Sequence, residues 1–264
     1  GGSVDHLGGL AMRKFVLALN NKIGYECARV ILNKGYCPDV VILHPRNKGN
    51  YVDEILSILP NHVKIWFWSH PGSNAFYEEL SGVKCEVLLS VNFGYLFSGE
   101  FLSKFAFPLN LHTSLLPYNR GANPNVWSIY EGTPAGVTLH RMTESIDDGE
   151  IYSQIDVPVD QCDTGKSLYE KLGNACKILI DGEMENILLG KLKPLVSMDN
   201  SLGTYHSRED FRNMLEIDTK KTVVVGDFIK KLRAFTFPPY KNLYFQENGR
   251  RYYVEVVISE EPKE

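Results

Sequence analysis

The chain has no long apolar run, no basic excess, no paired cysteines and no phosphate-cradling glycine loop, and each absence removes a class of function. A helix that crosses a bilayer needs about 18 or more consecutive apolar residues, and no stretch of the 264 residues approaches that length. A soluble, cytoplasmic chain with no membrane partner is expected. Proteins that grip nucleic acid by its phosphates carry a basic stripe or excess. The formal net charge here is −4, which argues against DNA or tRNA as a partner. Cys27, Cys37, Cys85, Cys162 and Cys176 are odd in number and contain no CxxC pair, so reduced, mostly buried thiols are expected rather than disulfides. No His/Cys/Asp cluster has the ligand spacing of a zinc site, so no metal is expected. Neither GxGxxG nor GxxxxGK[ST] occurs, and the isolated Gly24 reads as a structural residue at a helix start.

What is present is an alternation. KFVLALN, DVVILH, VKIWFW and the start of CEVLLSVNFGYLF are short apolar runs, and NKIGYECARVILNKGY and SNAFYEELSG are helical between them. The first of these helices is expected to open near Gly24. Apolar strands separated by helical segments predict an α/β fold, a Rossmann-like, mostly parallel sheet with helices on both faces. FPLNLHTSLLP is then a strand running into a loop, and NPNVWSIYEG a short helix. GVTLHRM and IYSQIDVPV are strands flanking the acidic SIDDGE, and a long helix covers about 164 to 189. Further on KKLRAF is helical, and LYFQENGRRYYVEVVI forms two strands around Asn248-Gly249, a strong hairpin signal. Three parts follow: an expression-tag remnant at 1–11 with Met12 as the native start, a catalytic domain at 12–190, and a small C-terminal subdomain at 191–264 ending in a β-hairpin.

Three polar residues stand where apolar ones are expected. Asn110 and His112, two apart on one strand, project to the same face at its carboxyl end, where ligands gather in open parallel sheets. Asp147 lies 35 residues beyond His112, in the loop between two later strands. A histidine near a carboxylate shuttles protons near neutral pH, and an asparagine amide can face a developing oxyanion. The plainer readings stand beside these: a hydrogen-bonded structural histidine, and an ordinary Asp-Asp-Gly turn.

The segments LNLHTSLLPYNRGANPNVWSIYEG and AGVTLHRMTESIDDGEIYSQ resemble the formyltransferases that use N10-formyltetrahydrofolate. That family pairs Asn-x-His-x-Ser-Leu-Leu-Pro with an Asp-x-Gly loop some 35 residues on, here Asn110, His112, Ser114 to Pro117, Asp147 and Gly149. The resemblance implies that His112 serves as general base or acid, that Asn110 binds the formyl oxygen, and that Asp147 orients His112 and relays the proton. It places the pterin of the formyl donor against VNFGYLF, through Phe93, Gly94, Tyr95 and Leu96, although Phe93 and Tyr95 also suit a core role. The tail, GTYHSRED followed by KKLRAFTFPPYKNLYF, is similar to that of bacterial sugar N-formyltransferases. This implies a nucleotide-linked amino sugar as substrate, with Tyr118, Arg120, Asn123, Phe237 and Tyr240 as contacts, Arg120 on the pyrophosphate and the two aromatics on the base. A surface arginine and a Pro-anchored aromatic cluster are the structural alternatives. The acceptor implied is dTDP-4-amino-4,6-dideoxyglucose, in bacterial surface-polysaccharide synthesis. A dTDP-3-amino sugar, a GDP-4-amino sugar, or water in a formyltetrahydrofolate hydrolase are the alternatives. The apolar hairpin also suits a homodimer.

Overall fold

A computed structural model describes residues 11–68, 74–195 and 199–262. The apolar runs become strands β1 (Phe15–Leu19), β2 (Val40–Leu43), β3 (Lys64–Phe67), β4 (Val87–Val91) and β5 (Phe107–His112). Every residue of β1, β2 and β4 is buried, as both-face coverage of a parallel sheet requires. Helices α1 (Asn21–Asn33), α2 (Val52–Ile58), α3 (Asn74–Val83) and α4 (Gly99–Leu102) alternate with them. Then follow β6 (Arg120–Gly121), α5 (Pro124–Glu131), β7 (Gly136–Arg141), β8 (Ile151–Asp156) and α6 (Gly165–Leu189). The chain closes with β9 (Tyr205–His206), α7 (Arg208–Asn213), α8 (Val225–Phe235), β10 (Tyr244–Glu247) and β11 (Arg250–Tyr253).

Seven strands form one sheet in the order β3-β2-β1-β4-β5-β7-β8, and β1 pairs in parallel with both β2 and β4. The expected mostly parallel α/β sheet is therefore present. The chain runs outward from β1 to β3 and returns beside β1 as β4, so the strand order reverses there. Such a reversal opens a crevice at the carboxyl edge. Helix α1 begins at this edge, three residues earlier than Gly24. A Cβ on Gly24 would lie 3.2 Å from the Val91 carbonyl oxygen, so the glycine lets the first turn of α1 approach the end of β4.

By contacts the chain divides into two units. The first comprises Gly1–His112, Leu139–Ser153 and Cys176–Ser197; the second comprises Thr113–Thr138, Gln154–Ala175 and Met198–Glu264. In the first unit Val16, Ala18, Val40, Ile42 and Leu88 pack with Trp66, Trp68, Phe97, Phe101 and Phe105.

The second unit contains buried polar connections. Asn119 is fully buried, and its Nδ2 donates to Ser128 Oγ at 3.0 Å and Thr133 Oγ1 at 2.8 Å. Its Oδ1 accepts from Thr204 Oγ1 at 3.1 Å, so the cost of burying an amide is offset. Arg233, also buried, donates to the backbone carbonyls of Asp163 and Asp160 and to Gln161 Oε1. Asp163 accepts from Lys171 Nζ at 2.7 Å, Ser167 Oγ at 2.8 Å and the Asp160 amide at 2.7 Å. Burial pushes the Asp163 carboxyl up, but these hydrogen bonds outweigh it and hold the group below the usual carboxylate value.

The hairpin appears as expected: Asn248 and Gly249 take φ of 51° and 72°, and β10 and β11 pair antiparallel. Some sequence boundaries move. β8 stops at Asp156 ahead of Pro158, the helix around KKLRAF begins at Val225, and the final strand ends at Tyr253. Of the helix expected over SNAFYEELSG, Ser73 lies outside the described residues, as do 1–10 of the expected tag.

Candidate active site

Along β5, Leu109 and Leu111 enter the core, so Asn110 and His112 share the opposite face. Along β7 the same alternation places Val137 and Leu139 in the core, with Thr138 and His140 sharing the other face. Asp147 follows β7 with its backbone in the left-handed region, φ 51°, a conformation that aspartate tolerates better than most side chains. Two residues later the chain passes so close to β7 that a Cβ on Gly149 would sit 1.8 Å from the Arg141 carbonyl oxygen. The returning strand is pinned by the Arg141 amide donating to the Glu150 carbonyl at 2.9 Å. Only glycine fits this approach, which explains the Asp-x-Gly pattern in steric terms.

Asn110, His112, His140 and Asp147 belong to the first unit, and their side chains converge. His112 Nε2 lies 3.5 Å from Asp147 Oδ2, and His140 Nε2 lies 3.4 Å from Asp147 Oδ1. Asn110 Nδ2 lies 3.5 Å from Asp147 Oδ1 and 3.2 Å from His140 Nε2. The structure thus brings Asn110, His112 and Asp147 together and adds His140, which sequence reasoning missed. The His112, His140 and Asp147 side chains are 11%, 2% and 10% exposed, dry enough for charge interactions to exceed their strength in water. Most of these contacts are long for hydrogen bonds.

The tautomer of His140 follows from its other nitrogen. Nδ1 lies 2.9 Å from the Arg141 carbonyl, which can only accept, so Nδ1 carries a proton. In the neutral ring Nε2 then accepts from the Asn110 amide. A second proton on Nε2 would instead point toward Asp147 and release Asn110.

The loop after β4 starts beside these residues, because Ser90 pairs with Asn110 and Val91 with Leu111. Phe93 and Tyr95 pack against the core cluster, Gly94 is exposed, and Leu96 is 67% exposed. The Gly94 N–H donates to His44 Nε2 at 2.9 Å.

Tyr118, Arg120, Asn123, Phe237 and Tyr240 all lie in the second unit. Tyr118 is half-buried. Arg120 lies in β6, paired with Tyr205, and its buried Nε makes no hydrogen bond among the described residues. Asn123, at φ 54°, precedes Pro124 at the start of α5 without capping it by its side chain. Phe237 packs on Tyr169 at 5.4 Å and bridges to Tyr240, which is 61% exposed.

Of the cysteines, Cys27, Cys85 and Cys176 are buried, while Cys37 and Cys162 are partly exposed. Burial, aided by Glu26, pushes the Cys27 thiol up to about 12, and burial with Asp39 does the same for Cys85. Among the described residues no group of His, Cys, Asp or Glu is arranged to hold a metal ion, and no helix is long and apolar enough to cross a membrane.

Residues 59–180 match the formyl transferase family, and residues 210–260 match the N-formyltransferase dimerization C-terminal domain. Over these two stretches the chain is similar to formyltransferases. It is 30% identical over 154 residues to the dTDP-4-amino-4,6-dideoxyglucose formyltransferase of Mycobacterium tuberculosis (strain ATCC 25618 / H37Rv), a match covering 58% of this chain. The chain spans 65% of that relative's length. Among solved structures, a 4-N formyltransferase from Francisella tularensis superposes with a TM-score of 0.81 at 28% identity, covering 94% of this chain and 99% of the other. The N-formyltransferase of Helicobacter canadensis, solved with folinic acid and dTDP-3-aminofucose, shares the fold: TM-score 0.71, 23% identity, 91% and 86% covered.

Proposed function

We propose that this chain moves the formyl group of N10-formyltetrahydrofolate to the amine of a nucleotide-linked amino sugar. The convergence of Asn110, His112, His140 and Asp147 at the carboxyl edge carries the reading. The amine nitrogen bonds to the formyl carbon, and the carbonyl oxygen becomes an oxyanion that the Asn110 amide stabilises. His112 takes a proton from the attacking nitrogen and returns one to N10 as the C–N10 bond breaks, leaving a formamide and tetrahydrofolate. Asp147 steadies His112 while it is charged. No step calls for a metal.

The acceptor we favour is dTDP-4-amino-4,6-dideoxyglucose, in the cytoplasmic synthesis of a surface polysaccharide such as O-antigen. Identity to the Mycobacterium tuberculosis relative supports this choice. A dTDP-3-amino sugar is the second reading, favoured by the ligand of the Helicobacter canadensis structure. Arg120 would hold the pyrophosphate, Phe237 and Tyr240 the base, and Tyr118 and Asn123 the sugar. We assign catalysis to residues 12–190, and to 191–264 the pairing of two copies. Val224, Val225, Ile229, Tyr252 and Tyr253 there are exposed apolar side chains, as a dimer face requires.

The test is direct. The protein is incubated with N10-formyltetrahydrofolate and a panel of dTDP- and GDP-linked 3- and 4-amino sugars. The product is weighed for the gain of one formyl group. Gain on the dTDP-4-amino sugar supports the reading, gain only on a 3-amino sugar moves it to the second, and release of formate alone marks a hydrolase.

A further inference from the structure

We propose that His44 is a positioning residue that presets the formyl-donor loop by accepting the Gly94 N–H, an inference that rests on the formyl-transfer reading. His44 directly follows β2, is 7% exposed, and lies 50 residues from Gly94 in sequence. In the sheet β1 stands between β2 and β4. A bond from the end of β2 to the loop after β4 therefore draws that loop across the carboxyl end of β1, over the place where the strand order reverses. The bond also decides the ring's chemistry. A backbone N–H can only donate, so Nε2 must hold a lone pair, and a neutral His44 carries its proton on Nδ1.

Aromatic packing holds the same loop from the other side. The His44 ring meets Phe93 edge-on at 4.8 Å and Tyr95 at 4.5 Å. Phe93 stacks on Phe97 at 5.2 Å, Phe97 on Phe101 at 5.0 Å, and Trp68 stands edge-on to all three. Residues 93, 95 and 97 thus anchor inward, leaving Gly94 and the exposed Leu96 outward. On this proposal Phe93 and Tyr95 serve as anchors, and Leu96 presents the apolar surface that a flat heteroaromatic ring would cover. A loop already held in shape loses less freedom when a ligand binds. His44 supplies a polar fastening to this aromatic set, at a glycine that has no side chain to pack.

The test uses the full chain with folinic acid as the stable folate probe, alongside steady-state kinetics. His44→Phe keeps the ring but removes the acceptor, whereas His44→Gln can present Oε1 near the former Nε2 position. His44→Phe should raise both the KM for the formyl donor and the Kd for folinic acid by about three- to tenfold, the weight of one net hydrogen bond. The kcat and the KM for the amino sugar should stay within about twofold, and His44→Gln should recover most of the loss. Wild-type folate affinity in His44→Phe, or equal loss in both variants, overturns the proposal. Should both variants unfold, amide exchange in the unmodified protein decides: a protected Gly94 N–H supports the fastening, and exchange at the rate of a free loop removes it. Failure of the unmodified protein to bind folinic acid would instead sink the formyl-transfer reading, and the role of His44 with it.

Discussion

Asp147 in the first unit and Asp163 in the second are both carboxylates among several polar side chains, yet the kinds of partner differ. Asp163 holds Lys171, Ser167 and the Asp160 amide at 2.7–2.8 Å, a carboxylate saturated by short, charge-assisted bonds. Asp147 faces two imidazoles and an amide at 3.4–3.5 Å. Short, saturated partners hold one charge state in one geometry. Imidazole partners offer nitrogens between which a proton can pass, as turnover requires. Contact number alone therefore does not separate a structural carboxylate from a working one; distance and the nature of the partner do.

The widest separation between the two should come from His112→Asn, which we expect to cut turnover about a hundred- to ten-thousand-fold with little change in thermal unfolding. Asp147→Asn should behave alike; near-normal kcat in either variant would return the cluster to a structural role. Asp163→Asn should show the mirror image, losing about 2 kcal/mol of stability at neutral pH with kcat retained. Because the folded-state pKa of Asp163 is depressed, its stabilisation is present above the unfolded carboxylate value and fades as pH falls through the folded one. Denaturant melts of wild type and Asp163→Asn should accordingly converge in acid; a gap independent of pH would break the comparison. Arg120→Ala should raise the KM for the nucleotide sugar by roughly tenfold and leave kcat nearly unchanged. Chelation should have the smallest effect. Turnover abolished by EDTA and restored by a divalent ion would overturn the mechanism.

Much of the sheet was legible because β1 and β2 are unbroken apolar runs and β4 is one interrupted only by Ser90, a pattern that needs no tertiary knowledge. Helix α2 was not, since VDEILSI is a short segment of about two turns between two strands that period alone does not separate from a loop. Nor was α7 read as a helix, although Ser207 and Asp210 form a capping box at its start. His140 was missed for a different reason. Polar residues two apart on an otherwise apolar strand singled out Asn110 and His112, and Thr138 and His140 obey the same rule on β7. The signal was present but had been applied to one strand only. His44 carried no such signal, because its importance lies in a partner 50 residues away.

The close approach of Gly149 to the Arg141 carbonyl has a bearing on how this loop can vary among related chains. Thr143, Glu144 and Ser145 are exposed, so substitutions there are absorbed by solvent. From Asp147 onward the backbone rests directly on its neighbour, and the two-residue step to Gly149 acts as a ruler with a hard stop at one end. Side chains upstream are free to drift, but a single residue inserted between Asp147 and Gly149 would carry the carboxylate out of reach of both histidines while leaving every strand of the sheet in place. Such a chain would fold, keep its core, and be silent.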